Sequence, residues 1–395
     1  MKLINEKRKR RRRKVMIRRT LIVSSCVLLV AIVVVAVMAF VNNFFIKKPA
    51  ADKNSQTANS SSVISTSETT AQAPSQNKTP ANSDALTFEK PKIDMPSDTG
   101  HYSSNTMMYV MDNKILNLFF SSEAASKYYA KTISEFKQAL GDDVKVYNMI
   151  APTHPEFAIP QSLIDNGTVS TTSQAENIKL IYQSYTADVI PINCYNELSR
   201  HNDEYIFFNT DHHWTGLGGY YAYKAFAEQT EQTPLELSDC TENKIENFEG
   251  TLLEYAPETP LDTVYYYTFP YDTYAQVKRQ SASDELSDTS VYFEGETSGV
   301  NSYGVFIWGD NALFVEHNDN LNSGKKIAVV KDSYGNAVAP YLTANYDEVH
   351  VIDYRYFDTK LSDYCKENGI NEVLFINNEM SCNTASSIDQ MKTIL

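Results

Sequence analysis

Asp211, His213 and Ser333 are the residue types of an acyl-transfer triad: a carboxylate to orient an imidazole, the imidazole to take a proton, and a hydroxyl to attack a carbonyl. They stand in Thr210-Asp211-His212-His213-Trp214-Thr215 and Lys331-Asp332-Ser333-Tyr334-Gly335-Asn336. Each stretch follows an apolar, strand-like run, Ile206-Phe207-Phe208 in one case and Ile327-Ala328-Val329-Val330 in the other. If residues 211–213 are extended, alternate side chains share a side, so Asp211 and His213 face together and His212 points away. The pattern sets Ser333 on a strand-to-helix turn, beside unpaired N–H groups and the positive end of a helix dipole, which suits a developing oxyanion. The plainer alternative is that Ser333 only caps its helix, since the G-x-S-x-G elbow is absent.

Asp211, His212 and His213 are also metal-ligand types, and Asp-His-His is shared with the DHH phosphoesterases. Those enzymes need further aspartates at strand ends, for which Asp353 and Asp358 are the weak candidates. Adjacent histidines rarely converge on one ion, and no second His/Asp/Glu cluster of similar density occurs, so neither a metal nor a cofactor is expected. Trp214 is a candidate wall for the site. Arg355, between Tyr354 and Tyr356, is a candidate ligand for a carboxylate or phosphate, or else a surface ion-pair residue. The aromatic run from Tyr265 to Tyr274 reads as strand packing before it reads as a sugar platform.

The elements that must hold these residues alternate between strand and helix. Thr106–Val110 and Lys114–Phe120 read as strands around a Met111-Asp112-Asn113 turn, and Ser122 caps a helix that stops near Gly141. Val144–Ile150 follows as a strand, Ser173 and Glu176 have capping-box spacing before a helix, and Val189–Ile192 and Tyr205–Phe208 read as strands. A helix over about 215–229 comes next. Residues 235–324 lose the rhythm and read as a β-rich insertion, with strand-like pieces at Val264–Phe269 and Val305–Trp308. Alternation resumes with strands at 326–330, 349–352 and 373–376 and helices between and after them, as a parallel sheet requires.

The chain has 395 residues, but its first ninety do not read as globular. Residues 21–41 carry no charge and are long enough to cross a bilayer as a signal-anchor helix. Eleven Lys/Arg residues against the single acid Glu6 fill residues 1–20, which predicts a cytoplasmic N-terminus and an extracytoplasmic body. A cleaved signal peptide would have a shorter apolar core and a small-residue cleavage site, for which Val37-Met38-Ala39 is a weak match. Residues 42–90 are mostly Ser, Thr, Asn, Gln and Ala, a disordered tether with a reach of about 35 Å over its low-complexity part. Taking residues 1–20 away from the chain totals of 35 basic and 49 acidic residues leaves 24 and 48, a formal charge of −24. Such a body repels polyanions, so nucleic acid is excluded as a partner. Cys26 lies in the span, and Cys194, Cys240, Cys365 and Cys382 allow three pairings without a zinc-site spacing.

Phe208-Asn209-Thr210-Asp211-His212-His213-Trp214-Thr215, Lys331-Asp332-Ser333-Tyr334-Gly335-Asn336-Ala337 and Val349-His350-Val351-Ile352-Asp353-Tyr354-Arg355-Tyr356 together resemble the DHHW family. The resemblance covers roughly residues 100–395. That family is similar to the SGNH-hydrolase-like alginate O-acetylation proteins, in which Asp-x-His also precedes the serine. The resemblance implies Ser333 as nucleophile, His213 as base and Asp211 as orienter. It also implies a three-layer α/β/α SGNH-hydrolase-like domain over residues 91–395, carrying the 235–324 insertion. Ordinary SGNH enzymes have Gly before Asp-Ser and a separate Gly and Asn in the oxyanion hole; Lys331 stands at the first position here, and Asn336 is the candidate for the last. The implied task is acetyl transfer to, or removal from, a cell-envelope polysaccharide, beside a membrane-bound O-acyltransferase. The rival expectation is a non-catalytic glycan-binding or scaffold protein on the same fold.

Overall fold

The computed structural model describes residues 83–280, 285–293, 295 and 298–395. The basic tail of residues 1–20, the anchor segment 21–41 and the tether up to residue 82 lie outside the described residues. Among the described residues, no helix is long and apolar enough to cross a membrane. Ordered packing begins before residue 91. Leu86 and Phe88 lie against the core, the Asn193 amide donates to the Thr87 carbonyl at 3.0 Å, and Arg200 pairs with Glu89. The last residues of the segment read as tether thus have apolar area to bury, which the Ser/Thr-rich part lacks.

A small antiparallel sheet opens the body: β1 (His101–Tyr102), β2 (Met108–Met111) and β3 (Lys114–Asn117). Asp112 and Asn113, both at positive φ (48° and 57°), make the tight turn between β2 and β3 that Asx residues tolerate best. The main sheet has five parallel strands: β4 (Lys145–Ala151), β5 (Val189–Ile192), and three that come after the β-rich segment. That segment contributes β6 (Thr241–Phe248), β7 (Asp262–Thr268), β8 (Tyr274–Lys278), β9 (Ser287–Thr289) and β10 (Leu313–His317). The other parallel strands are β11 (Lys326–Lys331), β12 (Glu348–Asp353) and β13 (Glu372–Asn378). The sheet order is β5-β4-β13-β11-β12-β10-β8-β9. The inner strands β4, β11, β12 and β13 are buried along almost their whole length, which is why they read as continuous apolar runs.

Residues 235–324 are β-rich but not an insertion set apart from the sheet. β10 pairs antiparallel with β12 and β8, and β8 with β9, so only the β6–β7 pair stands by itself. Without β10 the buried strand β12 would leave a row of N–H and C=O groups unpaired. Val305–Trp308 is not a strand: Ile307 and Trp308 take positive φ (47° and 62°).

Helices lie against both faces of the sheet, as adjacent residues of β4 reveal. Tyr147 meets Phe226 of the Gly216–Gln229 helix at 5.3 Å, while Asn148 donates to the Tyr129 hydroxyl of the Glu123–Leu140 helix at 2.9 Å. Neighbouring strand side chains point to opposite faces, so the two helices cover opposite faces. Ser122 caps the Glu123–Leu140 helix and Ser173 the Gln174–Gln183 helix through their side-chain oxygens. The four described cysteines are unbridged.

Candidate active site

Ser333 lies immediately beyond β11, as its apolar run predicts. Asp332 turns the chain there: its carboxylate accepts from Tyr334 N–H at 3.0 Å, and from the backbone N–H and side-chain amide of Asn378 at 2.8 and 2.9 Å. Burial raises its pKa, against which these donors act. The Ser333–Ala337 helix that follows is a short 3-10 turn with little macrodipole, and two of its first N–H groups are spent on Asp332, Tyr334 N–H on the carboxylate and Gly335 N–H on the carbonyl, each at 3.0 Å. Gly335 is required here because a Cβ would lie 2.5 Å from the Lys331 Cβ.

The segment before Asp211 is not a strand of the sheet. Phe207 makes one antiparallel bridge with Trp214, and residues 209–213 bend as a buried loop closed by Thr215 N–H to the Ile206 carbonyl at 3.0 Å. Ile206, Phe207 and Phe208 are apolar because the loop sits in the core. Asp262 fixes the loop by accepting from Thr210 N–H and Oγ1 at 2.7 and 2.6 Å. Asp211 and His213 meet through an Asx-type turn, His213 N–H to Asp211 Oδ1 at 3.0 Å, and not through strand alternation. His212 correspondingly does not point away: its ring centroid is 3.9 Å from that of His213.

From these two loops three side chains converge. His213 Nδ1 is 2.6 Å from Asp211 Oδ1, and His213 Nε2 is 2.7 Å from Ser333 Oγ. The carboxylate only accepts, so the proton sits on Nδ1 and the Nε2 lone pair faces the serine hydroxyl. Asp211 is almost fully buried, which raises its pKa, yet the His213 and His212 rings and the Thr251 N–H outweigh burial and hold it well below the usual carboxylate range. Thr251 donates to Asp211 Oδ2 through both N–H and Oγ1, each at 2.8 Å. Tyr303 stacks on His213, with ring centroids 4.1 Å apart and planes at 12°, and its hydroxyl donates to the Ser333 carbonyl at 3.0 Å. Thr251 and Tyr303 come from segments with no chemical motif, and no local signal in the sequence singles them out.

The other predicted site residues divide. Asn336 lines the cleft with Ser333; its Nδ2 donates to Asp310 at 3.1 Å, while Oδ1 is buried without a partner. Arg355 also lines the cleft, but its guanidinium is held by Asp353, at 2.8 and 2.6 Å, and by Asp310 at 2.9 Å. Lys331 bridges the same two acids, at 3.1 Å to Asp310 and 2.7 Å to Asp353, which explains a buried lysine where a glycine was the expected type. Trp214 is not a wall of the cleft: it is fully buried, and its indole N–H donates to the Tyr334 carbonyl at 2.9 Å, fastening the histidine loop to the serine turn. The cleft, of about 710 Å³, is bounded instead by Phe293, Trp308 and Tyr303.

Asp211, His212 and His213 bring one ligand-type atom each to within 4.8 Å of one another. Most of the ligand-type atoms are already engaged, His212 Nε2 being the exception. Both oxygens of Asp211 accept two hydrogen bonds, His213 spans Asp211 and Ser333, and His212 Nδ1 is 2.8 Å from Thr251 Oγ1. The donor set therefore fits an ion poorly, and the geometry is that of a hydroxyl activated by an oriented imidazole.

Residues 82–352 match the family model described as DHHW protein. Among solved structures, the chain is similar to a DHHW family protein from Eubacterium siraeum, with 29% identity over 75% of this chain and 98% of that one and a TM-score of 0.67. Its fold is similar to that of Bacillus cereus PatB1, solved with a sulfonyl adduct, with 20% identity over 72% of this chain and 97% of that one and a TM-score of 0.60. No curated protein matches the chain.

Proposed function

The chain belongs to the DHHW family, and on that premise we propose that it is an SGNH-hydrolase-like O-acetyltransferase or esterase acting on a cell-envelope polysaccharide. The observation that carries this reading is the unbroken run Asp211 Oδ1 to His213 Nδ1 and His213 Nε2 to Ser333 Oγ, at 2.6 and 2.7 Å. His213 Nε2 takes the serine proton as Oγ attacks an acyl carbonyl, and Asp211 stabilises the imidazolium that forms. Tyr334 N–H and Gly335 N–H are spent on Asp332, so of the first N–H groups of the Ser333–Ala337 turn it is that of Ser333, without a partner among the described residues, that is left to meet the developing oxyanion. His213 returns the proton to the leaving oxygen, giving an acyl-serine. A sugar hydroxyl then attacks that ester for transfer, or water for hydrolysis, with His213 again as base.

The uncharged run at 21–41 behind eleven basic residues supports anchoring in the cell membrane with the body outside. A membrane-bound O-acyltransferase is the matching source of acyl groups on that side. The test is hydrolysis of p-nitrophenyl acetate by the full-length protein. Activity should vanish in Ser333→Ala and His213→Ala and survive a chelator. Hydrolysis indifferent to both substitutions sinks the proposal, and absence of any turnover favours the glycan-binding scaffold.

A further inference from the structure

Two cavities flank Ser333 along the carboxyl edge of the sheet. The 710 Å³ cleft contains Arg355, which follows β12, together with Ser333 and Asn336. A second recess, of about 280 Å³, is lined by His154 just after β4 and by residues from Asn378 to Ser387 that begin at the end of β13. β11, which leads into Ser333, lies between β12 and β13, so the two cavities are on opposite sides of the nucleophile. Asp211 and His212 line both, which makes His212 the divide between them.

Three acceptors are left over in these walls, beside guanidinium N–H groups of Arg279 and Arg355 on the cleft side that have no partner among the described residues. His154 Nδ1 is 3.0 Å from the Phe208 carbonyl, which cannot donate, so Nδ1 carries the proton and Nε2 a lone pair. Burial, then the charge of Lys114, pushes the His154 pKa down to about 3, so the ring stays neutral. Thr251 Oγ1 gives its proton to Asp211 and accepts from His212 Nδ1, which leaves His212 Nε2 bare in the same way. Neither Nε2 has a hydrogen-bond partner among the described residues. Asn336 Oδ1 is likewise buried and unpaired on the cleft side. A ligand that satisfies all three must carry donors spaced along its length: hydroxyls or amide N–H groups on a chain.

We propose that the substrate is a linear polyhydroxylated chain lying across the sheet edge, with one neutral sugar unit in the 280 Å³ recess against His154 and the reacting unit beside Asn336 and Ser333. His212 Nε2 accepts a hydroxyl as the chain crosses the divide. The reacting unit therefore has a neighbouring unit on at least one side. This rests on the acyl-transfer reading, and the two are separable by experiment.

Full-length Ser333→Ala protein is titrated by calorimetry with ladders of chito-, cello- and manno-oligosaccharides. For at least one ladder, Kd should fall about tenfold at the single length that first fills both cavities, then level off. The step should disappear both in His154→Phe, which removes the acceptor, and in Ser387→Trp, which fills the recess from another side. A smooth length dependence, or a step that survives both substitutions, overturns the proposal. So does failure of every ladder to bind while p-nitrophenyl acetate is still hydrolysed by the wild type, an outcome that leaves the serine chemistry standing. A step found in a protein whose esterase activity ignores Ser333 sinks the acyl reading instead.

Discussion

Replacing Thr251 by valine removes one group from the support of Asp211 and nothing from the three converging side chains. Asp211 accepts four hydrogen bonds: from His213 N–H at 3.0 Å, His213 Nδ1 at 2.6 Å, and Thr251 N–H and Oγ1 at 2.8 Å each. Valine keeps the shape and the backbone N–H and loses only the hydroxyl. A hydrogen bond to a charged group contributes about 1.5–3 kcal/mol, and three donors remain, so the lower end applies. Since about 1.4 kcal/mol is a factor of ten in rate, kcat should fall about tenfold. KM should change little, because the Thr251 hydroxyl spends its proton on Asp211 and accepts from His212 and so is not free to hold substrate. Thr251→Ser keeps the hydroxyl and should restore most of the rate. The assay is p-nitrophenyl acetate hydrolysis by the full-length protein at neutral pH, with kcat and KM resolved. A valine variant within twofold of wild type, or a serine variant as slow as valine, refutes the view that Asp211 acts through an ordered donor set.

Tyr303→Phe loses the bond to the Ser333 carbonyl, worth about 1 kcal/mol and so about fivefold in kcat. Tyr303→Leu also loses the stack on His213, a further 0.5–1.5 kcal/mol or so, giving roughly ten- to seventyfold; equal rates for the two variants would show the ring to be idle. Glu316 on β10 is fully buried with neither carboxyl oxygen paired, and burial raises its pKa well above 4.5. A raised acid pKa means that the fold prefers the protonated form: stability is fullest below pH 4.5 and is lost, by about 1.4 kcal/mol per pH unit, as pH climbs toward the folded pKa. Urea midpoints of Glu316→Met should therefore stay flatter than wild type above pH 5, and parallel curves would contradict this. Gly250→Ala would put a Cβ 2.2 Å from the Thr210 carbonyl oxygen and 2.6 Å from Asp211 N. A loss of roughly 1–3 kcal/mol of stability, read by urea unfolding, should accompany a fall in kcat, and an unchanged protein would mean that the 250 loop is free to move.

Much of the scaffold was legible in the chain because each of its signals is local. The runs that became β4, β11, β12 and β13 are continuous and apolar because a parallel strand between two helix layers has no wet face. Ser122 and Ser173 marked helix starts because a capping oxygen acts within three residues. The turn beyond β11 was readable for the same reason, and with it the position of Ser333.

Tertiary structure alone decided the rest. Ile206-Phe207-Phe208 carries the composition of a strand, but burial in a loop and burial in a sheet demand the same apolar residues, so composition could not separate them. That is why Asp211 and His213 meet by an Asx turn with His212 beside them, although strand alternation was the reason to expect the pair. The β-rich segment looked like an insertion because antiparallel strands added to a parallel sheet break the helical rhythm; only the pairing of β10 with β12 makes it part of the same sheet. Thr251, Tyr303 and Asp310 lie 40, 92 and 99 positions from Asp211 in the chain, and their types are common. A hydrogen bond or a stacked ring across such a distance is fixed by the fold, so the sequence by itself supplied the reactive side chains while the packed structure supplied the company they keep.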